Sequence, residues 1–148
     1  MLLLLSDSAL PIGSFAFSSG LESFIQHLPQ TKNVSHDILT HFLKESLRSL
    51  AFTTLPFVNA AHSAPSDAVS LDDHFDATVT CPVARRASLA QGKALLTIWE
   101  KAFLEDKRIS EEYRTSVKSG IGGHFGVAWG VVCGHCDISK GMISLFNM

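Results

Sequence analysis

Cys133, Gly134, His135 and Cys136 form the densest run of possible metal ligands in the chain, and His124 stands nine residues before the first of them. Thiolates and imidazoles are soft to borderline ligands that suit zinc or nickel. A closed structural site normally takes four ligands. Cys133 and Cys136, at i and i+3, can share a helix face, whereas His135 points elsewhere. No second Cys/His pair stands at zinc-finger spacing. Small buried cysteines on an apolar helix are the commoner occurrence. The sequence therefore predicts no metal site and no firmly bound cofactor, with His124, Cys133, His135 and Cys136 as the candidates should a site exist. The seven histidines (27, 36, 41, 62, 74, 124 and 135) include no i, i+4 pair, and no Glu-x-x-His run of the di-iron bundles occurs.

Other reactive constellations are also missing. The stretch from Ser6 to Glu22 holds Pro11, Gly13, Gly20 and five serines among apolar residues. Such a composition holds a loop in special backbone angles while anchoring it to a core. It lacks the Gly-Lys-Ser/Thr ending of a phosphate loop and the G-x-S-x-G of a nucleophile elbow. The plain reading is a structural loop and helix cap that also serves recognition. Asp72, Asp73 and Asp76 read as a solvated face at a helix start. Arg85 and Arg86 are the densest basic pair. No catalytic residue, and hence no enzyme, is expected.

The elements that must position these groups are helical almost throughout. Ser19-Gly20-Leu21-Glu22 has a capping-box pattern opening a helix over 20–28, with Leu21, Phe24, Ile25 and Leu28 on one face. A second helix is predicted over 35–52, its stripe being Ile38, Leu39, Phe42, Leu43, Leu47 and Leu50. Thr54-Leu55-Pro56 reads as a fresh start. Ser70 begins another helix, ending near Cys81-Pro82, and the longest runs from Pro82 to about Asp106. Its stripe is Val83, Ala87, Ala90, Ala94, Leu95, Ile98, Ala102 and Phe103. A short helix starts at Ser110, residues 120–123 read as a flexible joint, and a glycine-rich helix spans 124–136. The pattern predicts no strand, repeat or linker, so the fold class is all-α, a single-domain antiparallel helical bundle over 1–148.

Gly122, Gly126, Gly130 and Gly134 recur at four-residue spacing, almost in line on a helix. Each costs about 1 kcal/mol of helix stability relative to Ala. Such a stripe makes sense where another helix backbone approaches closely, either inside the chain or in a second subunit.

Composition narrows the partners. Of 148 residues, 46% are hydrophobic and 18% charged, below the roughly 25% charge of an average domain. That is core enough for one domain, and a thin charge layer also fits a subunit with partners. The net charge is −2 and the basic residues are scattered, so no phosphate-binding face for nucleic acid exists. Three cysteines, an odd count, argue for a reducing compartment. Met1 to Leu5 is too short for a signal or membrane segment. The expectation is a cytoplasmic protein binding neither membrane nor nucleic acid.

The stretch Ser6, Asp7, Ala9, Leu10, Pro11, Gly13, Phe15, Phe17, Ser18, Gly20, Leu21, Glu22 resembles the opening of the urease accessory protein UreF family. Leu55-Pro56 with Ala60-Ala61, Leu71-Asp72, Arg85 to Gly92 with Leu95-Leu96, and His124 to Gly130 are similar to later family segments, in order. The resemblance implies an all-α adaptor or chaperone in nickel insertion into apo-urease. Such proteins bind the accessory protein UreD (UreH), and that complex recruits the GTPase UreG. Nickel is then handled by the assembled complex; the alternatives are a nickel-binding metallochaperone using His124, Cys133, His135 and Cys136, and a GTPase-activating helper that supplies Arg85 or Arg86 to UreG as an arginine finger. Partner contacts are expected at Pro11, Gly13, Phe17, Ser18, Gly20, Glu22 and Arg85, and the family's dimers make the glycine stripe a possible homodimer contact. UreF proteins normally continue past the point matching Leu145-Phe146, so a C-terminally truncated member is expected.

Overall fold

Local signals start most of the helices. The computed structural model describes residues 20–29, 35–102, 109–120, 122–139 and 141. Helix α1 (Leu21–Gln26) opens at Gly20, whose φ of 86° lies in the left-handed region open to glycine. Gly20 offers no side-chain cap, and the Ser19 of the expected capping box lies outside the described residues. Helix α2 (His36–Thr53) is capped by Ser35, whose Oγ accepts the Ile38 N–H at 3.4 Å. After Thr54, α3 (Leu55–Ser63) carries Pro56 in its first turn, where a missing N–H costs nothing. A 3-10 turn (Pro65–Asp67) leads into α4 (Ala68–Thr78), which starts two residues before the expected Ser70.

Helix α5 (Pro82–Ala102) is the longest. Helix α6 (Glu111–Ser119) starts where the Ser110 hydroxyl accepts the Tyr113 N–H at 3.2 Å. It ends at left-handed Gly120. Helix α7 (Phe125–His135) is the centre of the bundle: Gly126 to Cys133 are all buried. A helix apolar on every side must be enclosed. Helices α3 and α5 are its main neighbours. Val58 and Ala61 from α3, and Leu95, Leu96 and Trp99 from α5, meet Val127, Val131 and Val132 in one core. Each large aliphatic side chain buried there contributes about 1.5–3 kcal/mol. The His62 Nε2 also lies 2.7 Å from the Ile138 carbonyl, joining α3 to the chain leaving α7. The fold is an all-α helical bundle, and no strand occurs among the described residues.

Two expectations about faces need correction. The buried face of α5 is Gly92, Leu95, Leu96 and Trp99, whereas Val83 is 57% exposed and Ala90 and Ala102 are exposed. Ala87, Ala94 and Ile98 of the expected stripe are half-buried, and Phe103 lies outside the described residues. Gly92 fixes the rotation instead, because its missing Cβ admits the backbone of Gly123 and His124. In α2 no residue is fully buried. Phe42 stacks on Phe24 of α1 at 5.1 Å, but Leu39, Leu43 and Leu47 remain on the surface, Leu43 at 51% exposure. Phe52, near the helix end, is 82% exposed.

Candidate functional site

A polar cluster lies where α4, α5 and the start of α7 converge. The first amides of a helix have no partner within it, and they attract negative charge. His124, the N-cap of α7, makes no side-chain cap for its own helix. Asp72 of α4 does that work from across the core: its carboxylate accepts the N–H groups of Gly123 and His124, the latter at 2.9 Å. Gly123, at φ 103°, turns its amide toward the acid. Asp72 is 3% exposed. Burial pushes its carboxyl above the usual carboxylate range, against the pull of the two amides.

The His124 side chain is fully buried, edge-on to Phe75 at 5.0 Å. Its Nε2 lies 2.8 Å from Asp76 Oδ1 and its Nδ1 3.1 Å from Ser88 Oγ. That hydroxyl also accepts the Phe125 N–H at 3.2 Å. Arg85 donates to both Asp76 oxygens, at 2.5 and 3.0 Å. The Arg85 hydrogen bond holds the Asp76 carboxyl below its usual range, and the same pairing raises the guanidinium. Chemically this is a cross-link. Both imidazole nitrogens are engaged, and the Asp72 carboxylate is enclosed. Asp72 and Asp76 are therefore not a solvated face. Their i, i+4 spacing on one side of α4, with Phe75 between, is the signal that sequence reasoning passed over. Of the joint expected over 120–123, Gly123 is held by Asp72, and residue 121 lies outside the described residues. Tyr113, also fully buried, has a hydroxyl with no hydrogen-bond partner among the described residues, and burial raises its pKa.

The other expected site residues are dispersed. Pro11, Gly13, Phe17 and Ser18 lie outside the described residues. Gly20 and Glu22 are exposed at α1, while Arg85 belongs to the cluster. Gly122 precedes α7 and lies against Asp72 and Ser116. Gly126, Gly130 and Gly134 face α3 of the same chain, where their missing Cβ atoms leave room for Thr54, Val58 with Ala61, and His62. His124 sits at the opposite end of α7 from Cys133, whose buried thiol is pushed up to about 12. His135 Nδ1 lies 2.7 Å from the Val131 carbonyl, and Cys136 is the C-cap. Among the described residues no group of three or more His, Cys, Asp or Glu side chains is arranged to hold a metal. No helix among them is long and apolar enough to cross a membrane.

The fold and its polar interior define an all-helical scaffold whose acid, base and hydroxyl groups brace helices. The UreF family model matches residues 35–145, and the chain belongs to that family. It is 41% identical over 138 aligned residues to a fission yeast (Schizosaccharomyces pombe) protein described as an uncharacterized urease accessory protein UreF-like, covering 88% of this chain and 57% of that one. To urease accessory protein F of Arabidopsis thaliana it is 37% identical over 135 residues, covering 88% and 54%. The indica rice (Oryza sativa) protein of that name is 35% identical over 134 residues, covering 88% and 50%. The chain thus spans about half the length of these relatives. No solved structure gives a significant match.

Proposed function

We propose that this protein is a non-enzymatic adaptor in urease maturation, bridging a UreD/UreH-type scaffold and a UreG-type GTPase so that nickel reaches apo-urease. Nickel is cargo of the assembled complex rather than a resident ion of this chain. Family membership and the names of the relatives support the role in maturation. The observation that carries the adaptor reading is the surface of α2. Leu39, Leu43 and Leu47 form an exposed apolar stripe on an 18-residue helix, with Ile25 of α1 also exposed. Scattered exposed apolar residues are ordinary, but a contiguous stripe marks a contact surface. We assign it to the scaffold protein. The Arg85 guanidinium, held by Asp76 on two nitrogens, supports bracing over an arginine finger.

The test is co-expression with the scaffold partner. Native chain should co-purify with it, and Leu43→Glu/Leu47→Glu should not. Equal recovery of both would remove the assignment of this face, and failure of the native chain would remove the adaptor reading.

A further inference from the structure

Two different kinds of bonding hold the two parts of this chain. The bundle is tied across long stretches of sequence: Asp72 to the His124 amide, Asp76 to the His124 ring, Arg114 to Glu100, and His62 to the Ile138 carbonyl. Helices α1 and α2 have no such ties. Every hydrogen bond of their described residues joins positions at most four apart, and their ion pair, Arg48 with Glu45, lies within one turn of α2. The Phe24–Phe42 stack joins the two helices to each other, and α2 rests chiefly on α3, the next helix in the chain. No described residue before Val58 is buried, whereas α7 buries Gly126 to Cys133 without a break.

Helix α2 is also a modest helix former in its own right. Ten of its 18 residues are His, Asp, Ile, Thr, Phe or Ser, weaker formers than Ala, Leu, Lys, Glu or Arg. Most helical stability in proteins comes from packing an apolar face, and a helix without that support is marginal in water. Leu39, Leu43 and Leu47, at 37%, 51% and 40% exposure, give α2 little of it. Segments with few buried apolar contacts and only local hydrogen bonds are the ones that open without global unfolding. Opening α2 would break none of the long-range ties above, since none of them uses a residue before Thr54.

We propose that α1 and α2 form a separate folding unit, which opens in the free chain while the bundle stays folded and is held closed when the scaffold protein docks on Leu39, Leu43 and Leu47. The docking half rests on the adaptor reading and supplies the regulation of that face: the partner completes the surface it binds. A partner that binds only the closed form shifts the equilibrium toward it, and its apparent affinity falls by the fraction of chains that are open.

The experiment is amide hydrogen exchange read by peptide mass, on the native chain alone and in the purified adaptor–scaffold complex. In the free chain, residues 39–53 should exchange at least about 100-fold faster than residues 129–135, and scaffold binding should slow the first segment by about tenfold or more. Two variants test the separation. Ser49→Gly lowers helix propensity at an exposed position off the leucine stripe and should speed exchange over 39–53 alone, by about twofold. Val58→Ala should speed exchange over 129–135 and leave 39–53 as in the native chain. Equal protection of both segments in the free chain overturns the inference and leaves the adaptor reading intact. Acceleration of both segments together by either variant also overturns it, since they would then open as one unit. A complex that forms with 39–53 exchanging as in the free chain removes the docking half. If no complex forms, the adaptor reading fails and the docking half with it, while exchange in the free chain still decides whether α1 and α2 open separately.

Discussion

Asp72 on α4 caps the amide of His124 at the head of α7, and the two helices are joined twice over. The Asp72 carboxylate takes the His124 amide, and the His124 ring takes Asp76 one turn further along α4. The N-terminus of the central helix is thereby capped by a residue more than fifty positions away in the chain.

Removing that cap should be costly. Asp72→Ala leaves two buried amides without an acceptor, and each orphaned group costs about 1–3 kcal/mol. The expected loss is therefore about 2–4 kcal/mol in urea unfolding. Asp72→Asn retains one acceptor oxygen and should lose about half as much. An Asp72→Ala chain of native stability would show that the cap carries no weight.

The two aspartates should respond oppositely to pH. The Asp76 carboxyl titrates below its ordinary 3.8 in the folded chain. Its contribution is complete above that ordinary value and is lost as pH falls through the depressed one. Asp72 is shifted the other way, so the folded state binds its proton more tightly. Its contribution is complete below the ordinary 3.8 and declines as pH rises through the raised folded value. Measured by denaturation from pH 3 to 6, Asp76→Asn should remove part of the native acid destabilisation. Asp72→Asn should remove a component of opposite slope. A parallel pair of pH profiles would contradict these assignments.

Glycine replacement should reverse its customary sign along α7. In an exposed helix Gly→Ala stabilises by about 1 kcal/mol. At Gly130 the new Cβ would run into the Val58 carbonyl and come within 2.9 Å of the Ala61 Cβ. Backbone cannot yield as a flexible side chain can, so overpacking of about 1–3 kcal/mol should outweigh the propensity gain. Gly130→Ala should lower the melting temperature. Gly126→Ala meets the Thr54 methyl at 2.8 Å, a side-chain atom, and should lower it less. An unchanged or raised melting temperature for Gly130→Ala would mean that α3 does not press on that glycine.

These cases also divide what the sequence made legible from what it hid. Ser35, Pro56 and Ser110 announce their helices because a cap or a first-turn proline acts within three residues of itself. The glycine spacing likewise announced a close helix approach, though only the folded chain supplies α3 as the neighbour. Asp72 was read as solvated because its partners lie on another element, and nothing within one turn of it reveals them. The rotation of α5 was hidden for a similar reason. A lone Gly92 outweighs a regular run of alanines, since small side chains are indifferent to burial. Of the expected partner loop, Pro11 to Ser18 lie outside the described residues.

The cysteines should label in a fixed order. Cys81 is exposed, and the Ala84 and Val83 amides at the start of α5 hold its thiol below the usual value. Cys133 is buried with its thiol pushed up to about 12. Thiolate is the reacting form, so a disulfide reagent at neutral pH should modify Cys81 first and Cys133 only on unfolding. Peptide mapping after timed labelling reads the order directly. Early modification of Cys133 would place that part of α7 outside the core.

The surface stripe of α2 allows stability and assembly to be separated. Leu43 keeps half of its area in water and Leu47 about 40%. Substitutions at such positions usually change stability within about 0.5 kcal/mol, because little transfer energy is at stake. Leu43→Glu/Leu47→Glu should therefore melt close to the native chain, remain at least as soluble, and fail to enter the scaffold complex. Val58→Ala supplies the opposite control. It removes buried methyl groups beneath Gly126 and Gly130 and should cost about 1–3 kcal/mol. At temperatures where it remains folded, it should still leave the α2 surface intact for assembly. The decisive contrast is the stable chain that does not assemble beside the destabilised chain that does. If assembly instead tracked melting temperature across both variants, the stripe would be an incidental feature of a marginal fold, and the scaffold contact would have to lie elsewhere.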